Sequence, residues 1–338
     1  MPTKTISIVT GCFNEEGNVE ELYQRVRNVM AHIGRYRYEH IFIDNSSTDR
    51  TVEVLKRIAA ADRNVRVIVN ARNFGHIRSP LHALYQASGD AVIGIVADLE
   101  DPPELIADMI REWEKGNSMV LGVRNSREEN PLMLWVRRKY YRLVNHLSEI
   151  DTFENFSGFG LYDRRVVDLV KSFDDPYPYF RGIIAEIGLP HTKIYYGQPK
   201  RKSGISKNNF YTLYDMAMLG ITNLSKVPLR MVTFSGFLSA AICALVAFGY
   251  LAYKLLYWNR FSVGVAPLVI GIFFFSSVQL ISVGIIGEYI GAIHTQVQKR
   301  PLVVERERVN FEYEPGLPAG SSDVPAAHED VPVAQGTV

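Results

Sequence analysis

Residues 91–104 read AVIGIVADLEDPPE, a short apolar run followed by acidic residues and a pair of prolines. A β-strand is predicted from Ala91 to Asp98, because β-branched residues favour extended structure. A helix is predicted from Pro102 to Lys115, because proline is tolerated in the first turn of a helix. A strand, a polar turn and a helix in this order are typical of one unit of an α/β sheet.

The same alternation of strand-like and helical patterns extends through residues 5–124. It predicts an α/β fold with a doubly wound parallel sheet. The other expected strands are Thr5 to Thr10, Glu39 to Asp44, Val65 to Ala71 and Met119 to Arg124, and the other expected helices are Glu16 to Ile33 and Asp49 to Ala61. Open sheets of this kind bind ligands outside the carboxyl ends of their strands. We therefore expect Asn14, Asp44, Arg72 and Asp98 to meet at one site.

Three carboxylates at this edge carry specific expectations. Asp44 can accept hydrogen bonds from a ribose hydroxyl or a base N–H, and an ordinary turn aspartate is the alternative. Asp98 and Glu100 are one residue apart at a strand end, so both can point to one side and hold Mg²⁺ or Mn²⁺. A polar loop with a capping acid is the alternative there. The loop after the first strand lacks both the G-x-G-x-x-G and the G-x-x-x-x-G-K-[ST] patterns, which disfavours NAD enzymes and P-loop ATPases.

Two long apolar stretches indicate a membrane anchor. Residues 231–253 and 261–287 contain no charged side chain, and each exceeds the roughly 20 residues that a helix needs to cross the hydrocarbon core. We expect membrane-spanning helices at 231–257 and 261–290, joined by a short loop. Two buried core helices are the alternative. Residues 209–227 are predicted to form an amphipathic helix in the membrane interface, with packing against the sheet as the alternative.

The distribution of basic residues predicts the orientation of this hairpin. The flanks outnumber the loop in arginine and lysine, so we expect both flanks in the cytoplasm of an inner (plasma) membrane protein with several spans. The basic residues of the flanks are Lys226, Arg230, Lys299, Arg300, Arg306 and Arg308, and those of the loop are Lys254 and Arg260. The tail, 291–338, is expected to be cytoplasmic and to be disordered after about residue 311.

Composition excludes several classes of protein. A net charge of +1 over 338 residues argues against a surface dedicated to nucleic acid. The two cysteines, Cys12 and Cys243, provide neither a disulfide framework nor a thiolate zinc site. Local basic groups lie around residues 124–142 and 200–207, where solvated faces or attraction to anionic lipid are alternatives to a role in binding a phosphate. Arginine suits a lipid phosphate better than lysine does, because its planar fork binds two oxygens.

At these residues the chain resembles the family-2 glycosyltransferases of the polyprenyl-phosphate or dolichol-phosphate sugar synthase type. The resemblance covers residues 7–300 and rests on seven elements in the family's order. They are Phe13-Asn14-Glu15-Glu16, Asp44 to Asp49, Arg72-Asn73-Phe74-Gly75, Ala97 to Glu104, Gly122-Val123-Arg124, Leu161-Tyr162-Asp163-Arg164-Arg165 and Arg201 to Lys207. The resemblance implies a GT-A-type catalytic domain over residues 1–208.

The resemblance also implies roles for individual residues. Asn14, Glu15, Asp44, Arg72 and Asp98 would bind the nucleotide-sugar donor, and Asp98 and Glu100 would be catalytic through the divalent cation. The acceptor phosphate would be bound by Arg124, Arg138, Arg201, Ser206 and Lys207, the last three on a mobile loop. The lipid bilayer is an implied partner, and the sequence permits a homo-oligomer.

This chain departs from the family pattern at three places. Asn45 follows Asp44 where paired aspartates are common. Val96 to Glu100 stand where the family has Asp-Ala-Asp-Leu-Gln, and Gly158 occupies the place of an aspartate in many relatives. A general base from that position is therefore absent, but a phosphate monoester with a second pKa of about 6 is already largely anionic at pH 7.

The sequence thus predicts an inverting transferase that moves a sugar from a nucleotide-sugar to polyprenyl (undecaprenyl) phosphate at the cytoplasmic face. A UDP-sugar is favoured as the donor, with UDP-glucose as the first choice. A processive polysaccharide synthase is disfavoured, because two spans leave little material for a polymer channel. The alternative from another class is an inactive membrane scaffold that binds a nucleotide-sugar or a partner protein.

Overall fold

The computed structural model describes residues 4–125, 153, 155–175, 177–197, 218, 222, 225–257, 265–298 and 300–311. The strands are β1 (Thr5–Cys12), β2 (Arg37–Asp44), β3 (Val65–Asn70), β4 (Ala91–Val96), β5 (Met119–Arg124), β6 (Phe156–Asp163), β7 (His191–Tyr196) and β8 (Glu305–Val309). The helices are α1 (Val19–Ile33), α2 (Thr51–Ala61), α3 (Gly75–Gln86), α4 (Leu105–Glu114), α5 (Arg164–Ser172), α6 (Phe180–Ile187), α7 (Val227–Leu256) and α8 (Val265–Val297).

The strands form one mixed sheet in the order β7-β5-β6-β4-β1-β2-β3-β8. Strands β4, β1, β2 and β3 are parallel neighbours, as expected for βαβ units. Strand β6 is antiparallel to both β4 and β5, and β8 is antiparallel to β3. The five predicted strands, β1 to β5, all run in one direction, and the α/β class was confirmed. The sheet is mixed because of β6 and β8, two strands that the sequence did not predict.

Helices cover both faces of this sheet, and each face has its own apolar core. Helices α1, α2 and α4 pack on one face, where buried residues such as Leu22, Leu55 and Ile106 meet the strands. Helices α3, α5 and α6 pack on the other face through residues such as Leu81, Val166 and Ile184. The sheet is thereby removed from water on both sides, which leaves the ends of its strands as the places where polar groups can gather.

All five predicted strands are present, with boundaries that differ by at most two residues. The largest functional difference is at β4, which ends at Val96 rather than Asp98. Leu99 has a φ of 58°, so residues 97–99 form a turn and not extended backbone. The acidic residues therefore lie on this turn, outside the strand.

Helices α7 and α8 have the length and composition of membrane spans. Their apolar segments, Val227–Tyr253 and Gly271–Val297, have 27 residues each, and their side chains are not buried in the protein. At about 1.5 Å per residue the helices are about 45 and 50 Å long, more than the hydrocarbon core requires. They coincide with the two predicted spans and begin earlier or end later by a few residues. Most of the predicted amphipathic helix, 209–227, lies outside the described residues.

The chain returns to the sheet directly after α8. Strand β8 pairs with β3, and the N–H of Ala71 donates to the carbonyl of Val304 at 2.9 Å. The side-chain amide of Asn310 donates to the carbonyls of Ala59 and Val65 at 2.7 and 2.8 Å. The sequence did not reveal this strand, because ERERV carries four charges in five residues and lacks apolar alternation.

Candidate active site

The carboxyl ends of four parallel strands meet along one edge of the sheet. In the sheet register Cys12 of β1 is opposite Asp44, Gly11 is opposite Val96, and Asp44 is opposite Val69. Asp44 is the last residue of β2, and the loops that follow β1, β3 and β4 contain Asn14, Arg72 and Asp98. The topology thus brings the four predicted residues to the same edge.

The loops after β1 and β2 are joined by hydrogen bonds. The N–H of Asn14 donates to the hydroxyl of Ser47 at 2.9 Å, and the side-chain oxygen of Asn14 accepts from the N–H of Thr48 at 2.8 Å. Glu15 accepts from the side-chain amide of Asn18 at 2.6 Å. In this structure the side chains of Asn14 and Glu15 therefore hold the shape of the loops around the edge.

Asp44 is fully buried at the end of β2. Its carboxylate accepts from the N–H of Ser47 at 2.9 Å and from the hydroxyl of the same residue. Burial raises the pKa of Asp44, whereas the hydrogen bonds from Ser47 and the charge of Arg306 act in the opposite direction. Asp49 accepts from the N–H of Thr51, the first residue of α2, at 3.0 Å.

The next residue, Asn45, fixes the loop that carries Arg72. Its amide nitrogen donates to the side-chain oxygen of Asn73 at 2.9 Å, and its amide oxygen accepts from the N–H of Phe74 at 2.8 Å. An aspartate at this place would accept but could not donate. The guanidinium of Arg72 lies 4.0 Å from the ring centroid of Phe74, so its direction is set by that ring. The departure from paired aspartates therefore has a structural role.

The acidic turn after β4 presents its carboxylates in a semi-enclosed position. Asp98 has 8% of its surface exposed, and its carboxylate accepts from the N–H of Glu100 at 3.1 Å. This hydrogen bond closes the turn in which Leu99 has a positive φ. The side chains of Asp98 and Glu100 are thereby brought to one turn, although not through the strand geometry that the sequence suggested.

Arg124 connects this turn to the strands β5 and β7. Its guanidinium lies 2.9 Å from the carboxylate of Asp101 and 3.4 Å from that of Glu100, and it donates to the hydroxyl of Tyr196 at 3.2 Å. The hydroxyl of Tyr196 in turn donates to Asp101. We call Glu100, Asp101, Arg124 and Tyr196 the acidic-turn network. The burial of Tyr196 and the charge of Asp101 raise the pKa of the Tyr196 hydroxyl, so it stays protonated.

The turn that carries Asp98 and Glu100 fits a divalent cation that is shared with a ligand. Among the described residues no group of three or more histidine, cysteine, aspartate or glutamate side chains could hold a metal ion. One oxygen of Asp101 is buried without a hydrogen-bond partner. Two carboxylates, on Asp98 and Glu100, are enough for Mg²⁺ when phosphate oxygens and water complete its octahedral shell. The hard oxygen donors present are the right type for Mg²⁺ or Mn²⁺.

The structure leaves most of the predicted acceptor residues undescribed. Arg138, Arg201, Ser206 and Lys207 lie outside the described residues. Arg124, the fifth residue of this group, lies at the site, but its guanidinium is paired with carboxylates. Its role in binding the acceptor phosphate stays a prediction.

Gly158 has a backbone conformation that disfavours an aspartate. Its φ is +99°, which side-chain-bearing residues rarely adopt, although nothing lies within 4 Å of the place where a Cβ would be. Its carbonyl accepts from the hydroxyl of the buried Tyr162 at 2.8 Å. The absence of a carboxylate here is therefore accompanied by a backbone that needs glycine.

Sequence reasoning missed Asn45, Asp101 and Tyr196 as parts of the site. Asp101 could have been found from the sequence, because it stands between Glu100 and a pair of prolines. An acidic residue at such a place either caps the following helix or pairs with a cation. Tyr196 belongs to β7, which pairs with β5. Nothing in its local sequence connects it to an acidic turn 95 residues earlier.

Comparison with known proteins identifies relatives of this chain. The family model described as glycosyl transferase family 2 matches residues 7–170. The uncharacterized glycosyltransferase YkcC of Bacillus subtilis (strain 168) is 33% identical over 90% of this chain and 94% of its own length. The SfII prophage-derived bactoprenol glucosyl transferase of Shigella flexneri is 35% identical over 88% of this chain and 96% of its own length.

Solved structures also align with part of the chain. A crystal structure of glucosyl-3-phosphoglycerate synthase from Mycobacterium tuberculosis with Mn²⁺, UDP and phosphoglyceric acid is 21% identical, covers 65% of this chain and 76% of that chain, and has a TM-score of 0.45. The relatives, in contrast, align along nearly their whole lengths at more than 30% identity. The chain therefore belongs to glycosyl transferase family 2 and is a glycosyltransferase.

Proposed function

We propose that this glycosyltransferase moves a sugar from a UDP-sugar, UDP-glucose in the first instance, to polyprenyl (undecaprenyl) phosphate at the cytoplasmic face of the inner membrane. The observation that carries the proposal is the attachment of the site to two membrane-length helices. The chain leaves the catalytic domain for α7 and returns from α8 to pair with the same sheet at β3. An acceptor that resides in the bilayer would account for this arrangement.

The strand edge supports a nucleotide-sugar donor. The buried carboxylate of Asp44 would accept hydrogen bonds from the base or the ribose, and Arg72 lies on the next loop of the same edge. The loops held by Asn14 and Glu15 would complete this side of the pocket. Asp98 would be close to the diphosphate, because it follows the strand adjacent to β1.

The acceptor is supported by the relatives and by the membrane helices. One relative is named a bactoprenol glucosyl transferase, and this chain covers 96% of its length, including the region of both helices. We propose that Arg124, with Arg138, Arg201, Ser206 and Lys207, binds the acceptor phosphate. The binding of a phosphate at Arg124 would require its guanidinium to keep at least one N–H for the ligand, which five N–H donors allow.

In the proposed reaction a phosphate oxygen of the acceptor attacks the anomeric carbon of the sugar. The new C–O bond forms as the bond to the nucleoside diphosphate breaks, so the anomeric configuration inverts. A divalent cation bound to Asp98 and Glu100 would neutralise charge on the departing diphosphate. Arg124 holds Glu100 and Asp101 in place. The carboxylate of Glu100, which would bind the cation, therefore needs no rearrangement during the reaction. An already anionic acceptor phosphate requires no general base, which is consistent with Gly158.

The test is release of nucleoside diphosphate by the detergent-purified full chain. The assay combines polyprenyl phosphate, Mg²⁺ or Mn²⁺, and a panel of UDP- and GDP-sugars. We expect release only when lipid phosphate and cation are both present. Release of nucleoside diphosphate at the same rate without the lipid would contradict the proposed acceptor. No release with any sugar donor would favour the alternative of a membrane scaffold.

A further inference from the structure

Strand β8 lies at the rim of the proposed donor pocket. It is the edge strand next to β3, and β3 is the neighbour of β2, whose last residue is Asp44. In the register of these three strands, Asp44 is opposite Val69, and Val69 is opposite Glu307. Strand β8, which follows α8, therefore lies in the same row of paired residues as the buried carboxylate of Asp44, two strands away.

A bulge in this pairing sets Arg306 apart from its neighbours. Glu307 pairs with Val69 and Glu305 pairs with Asn70, so Arg306 is the extra residue on β8. Bulges of this kind re-aim a side chain and are frequent at sheet edges next to active sites. Arg306 is accordingly placed beside the carboxyl ends of β2 and β3.

The two acids that flank Arg306 are occupied elsewhere. Glu305 is bonded to His82 at 2.5 Å and to Arg308, and Glu307 is bonded to Lys56 at 2.6 Å. Among the residues that the structure describes, no carboxylate lies within salt-bridge distance of Arg306, which is exposed to solvent. The ion pairs of Glu305 and Glu307 thus fix the strand on either side of Arg306, and its positive charge stays at the rim of the proposed pocket.

The charge of Arg306 affects the pKa of Asp44. It is the basic group that lowers the pKa of Asp44 against the effect of burial. The rim thus has a buried hydrogen-bond acceptor at the end of β2 and an exposed planar donor two strands away on β8. Such a pair is complementary to an N–H beside a carbonyl, the edge that uracil presents and adenine does not.

We propose that Arg306 is a donor-binding residue, whose guanidinium contacts the base of the nucleotide beside Asp44, so that β8 completes the donor pocket. The inference rests on the proposed function, because it requires a nucleotide at this edge. It assigns to the tail behind the membrane helices a part in substrate binding, where the sequence alone predicted only a basic flank. Removal of β8 would then cost donor affinity as well as a strand.

The experiment compares binding of UDP to three variants of the full chain in detergent, by calorimetry in the presence of Mn²⁺. Arg306→Gln removes the charge and the fork, and Arg306→Lys keeps the charge alone. Arg63→Gln is the matched control, since Arg63 is an exposed arginine just before the opposite end of β3. Among the described residues its side chain donates to Asn310 at 3.5 Å.

We expect Arg306→Gln to weaken UDP binding about tenfold, the loss of one charge-assisted hydrogen bond. Arg306→Lys should recover only part of this loss, and Arg63→Gln should stay within about twofold of the native chain. The KM for polyprenyl phosphate should not change in any of them. In a double-mutant cycle with Asp44→Asn, the two losses should be smaller together than their sum, because both side chains contact one base.

Native affinity for UDP in Arg306→Gln would overturn this inference and leave the proposed function standing. Equal weakening by Arg306→Gln and Arg63→Gln would also overturn it, because the effect would then be one of general charge. A native chain that binds neither UDP nor GDP would overturn the donor class and the inference together.

Discussion

Asp98 and Glu100 are held on one turn by hydrogen bonds and ion pairs, and this residue-scale geometry leads to a first prediction. Asp98→Ala removes a carboxylate that has 8% of its surface exposed. We expect the rate of sugar transfer to fall by at least about 100-fold, as for loss of one preorganised electrostatic contact to a developing charge. The thermal unfolding midpoint should stay near that of the native chain. The readout is nucleoside diphosphate release at saturating donor and lipid.

Asp108→Ala is the control for this prediction. The Asp108 side chain on α4 is 41% exposed, and within the described part of the chain it forms an ion pair with Arg111, three residues away. It should keep native activity. Native activity in Asp98→Ala would show that the cation is held elsewhere. Activity lost together with the unfolding midpoint would assign Asp98 to the fold.

Single residues also show what the sequence could and could not provide. The position of Asp44 and Asp98 at the sheet edge was predictable, because polar residues at or just after the end of a buried strand lie at that edge. Asn45 and Tyr196 were not, because their importance depends on loops that meet only in the folded chain. The departure at Asn45 looked like a lost carboxylate in the sequence, whereas the structure assigns it two hydrogen bonds that an aspartate could not both make.

At the scale of elements, the five predicted strands were found because buried parallel strands have a distinct apolar pattern. Strand β8 was not found, since it docks through backbone pairing with β3 and through charged side chains that bond to α2 and α3. Burial alone would raise the pKa of Glu305, but hydrogen bonds from His82 and Arg308 lower it to about 2. Docking of β8 therefore depends on contacts with residues that are distant in the sequence, which no local sequence window contains.

This lowered pKa leads to an element-scale prediction. A carboxyl group with a reduced pKa in the folded state contributes stability above its unfolded value of about 4.3, and the contribution is lost as the pH falls toward about 2. The Glu305 side chain has 18% of its surface exposed, so we expect Glu305→Gln to cost about 1–3 kcal/mol at pH 7. The difference between the variant and the native chain should shrink as the pH falls from 7 to 3.

The measurement is hydrogen exchange of the β8 amides, corrected for the intrinsic rate at each pH. Glu20→Gln serves as the control, since its ion pair with Arg57 is largely exposed and should contribute little at any pH. A stability difference between Glu305→Gln and the native chain that is constant from pH 7 to pH 3 would contradict the role given to the Glu305 carboxylate.

At the scale of the whole molecule, the return of the chain to β3 constrains the path of α7 and α8. Residues before α7 and residues after α8 both belong to the region of the catalytic sheet, so an even number of membrane crossings is required. Two helices with apolar segments of 27 residues satisfy this requirement if each crosses once. The excess of basic residues in the flanks agrees with a cytoplasmic position of the sheet. The path predicts that Tyr257, at the end of α7, lies on the opposite side of the membrane from Ser172 and Val304.

This prediction is tested with variants that each add one cysteine, labelled by a membrane-impermeant maleimide on sealed vesicles. The native cysteines provide a low background, because Cys12 is buried and Cys243 lies within α7. Ser172→Cys and Val304→Cys should react from the same side and Tyr257→Cys from the other, since Ser172, Val304 and Tyr257 are all exposed. Reaction of all three from one side would show that the helices lie on the membrane without crossing it. An opposite labelling of Ser172→Cys and Val304→Cys would be incompatible with β8 pairing to β3, because the strand and its neighbour would then be separated by the bilayer.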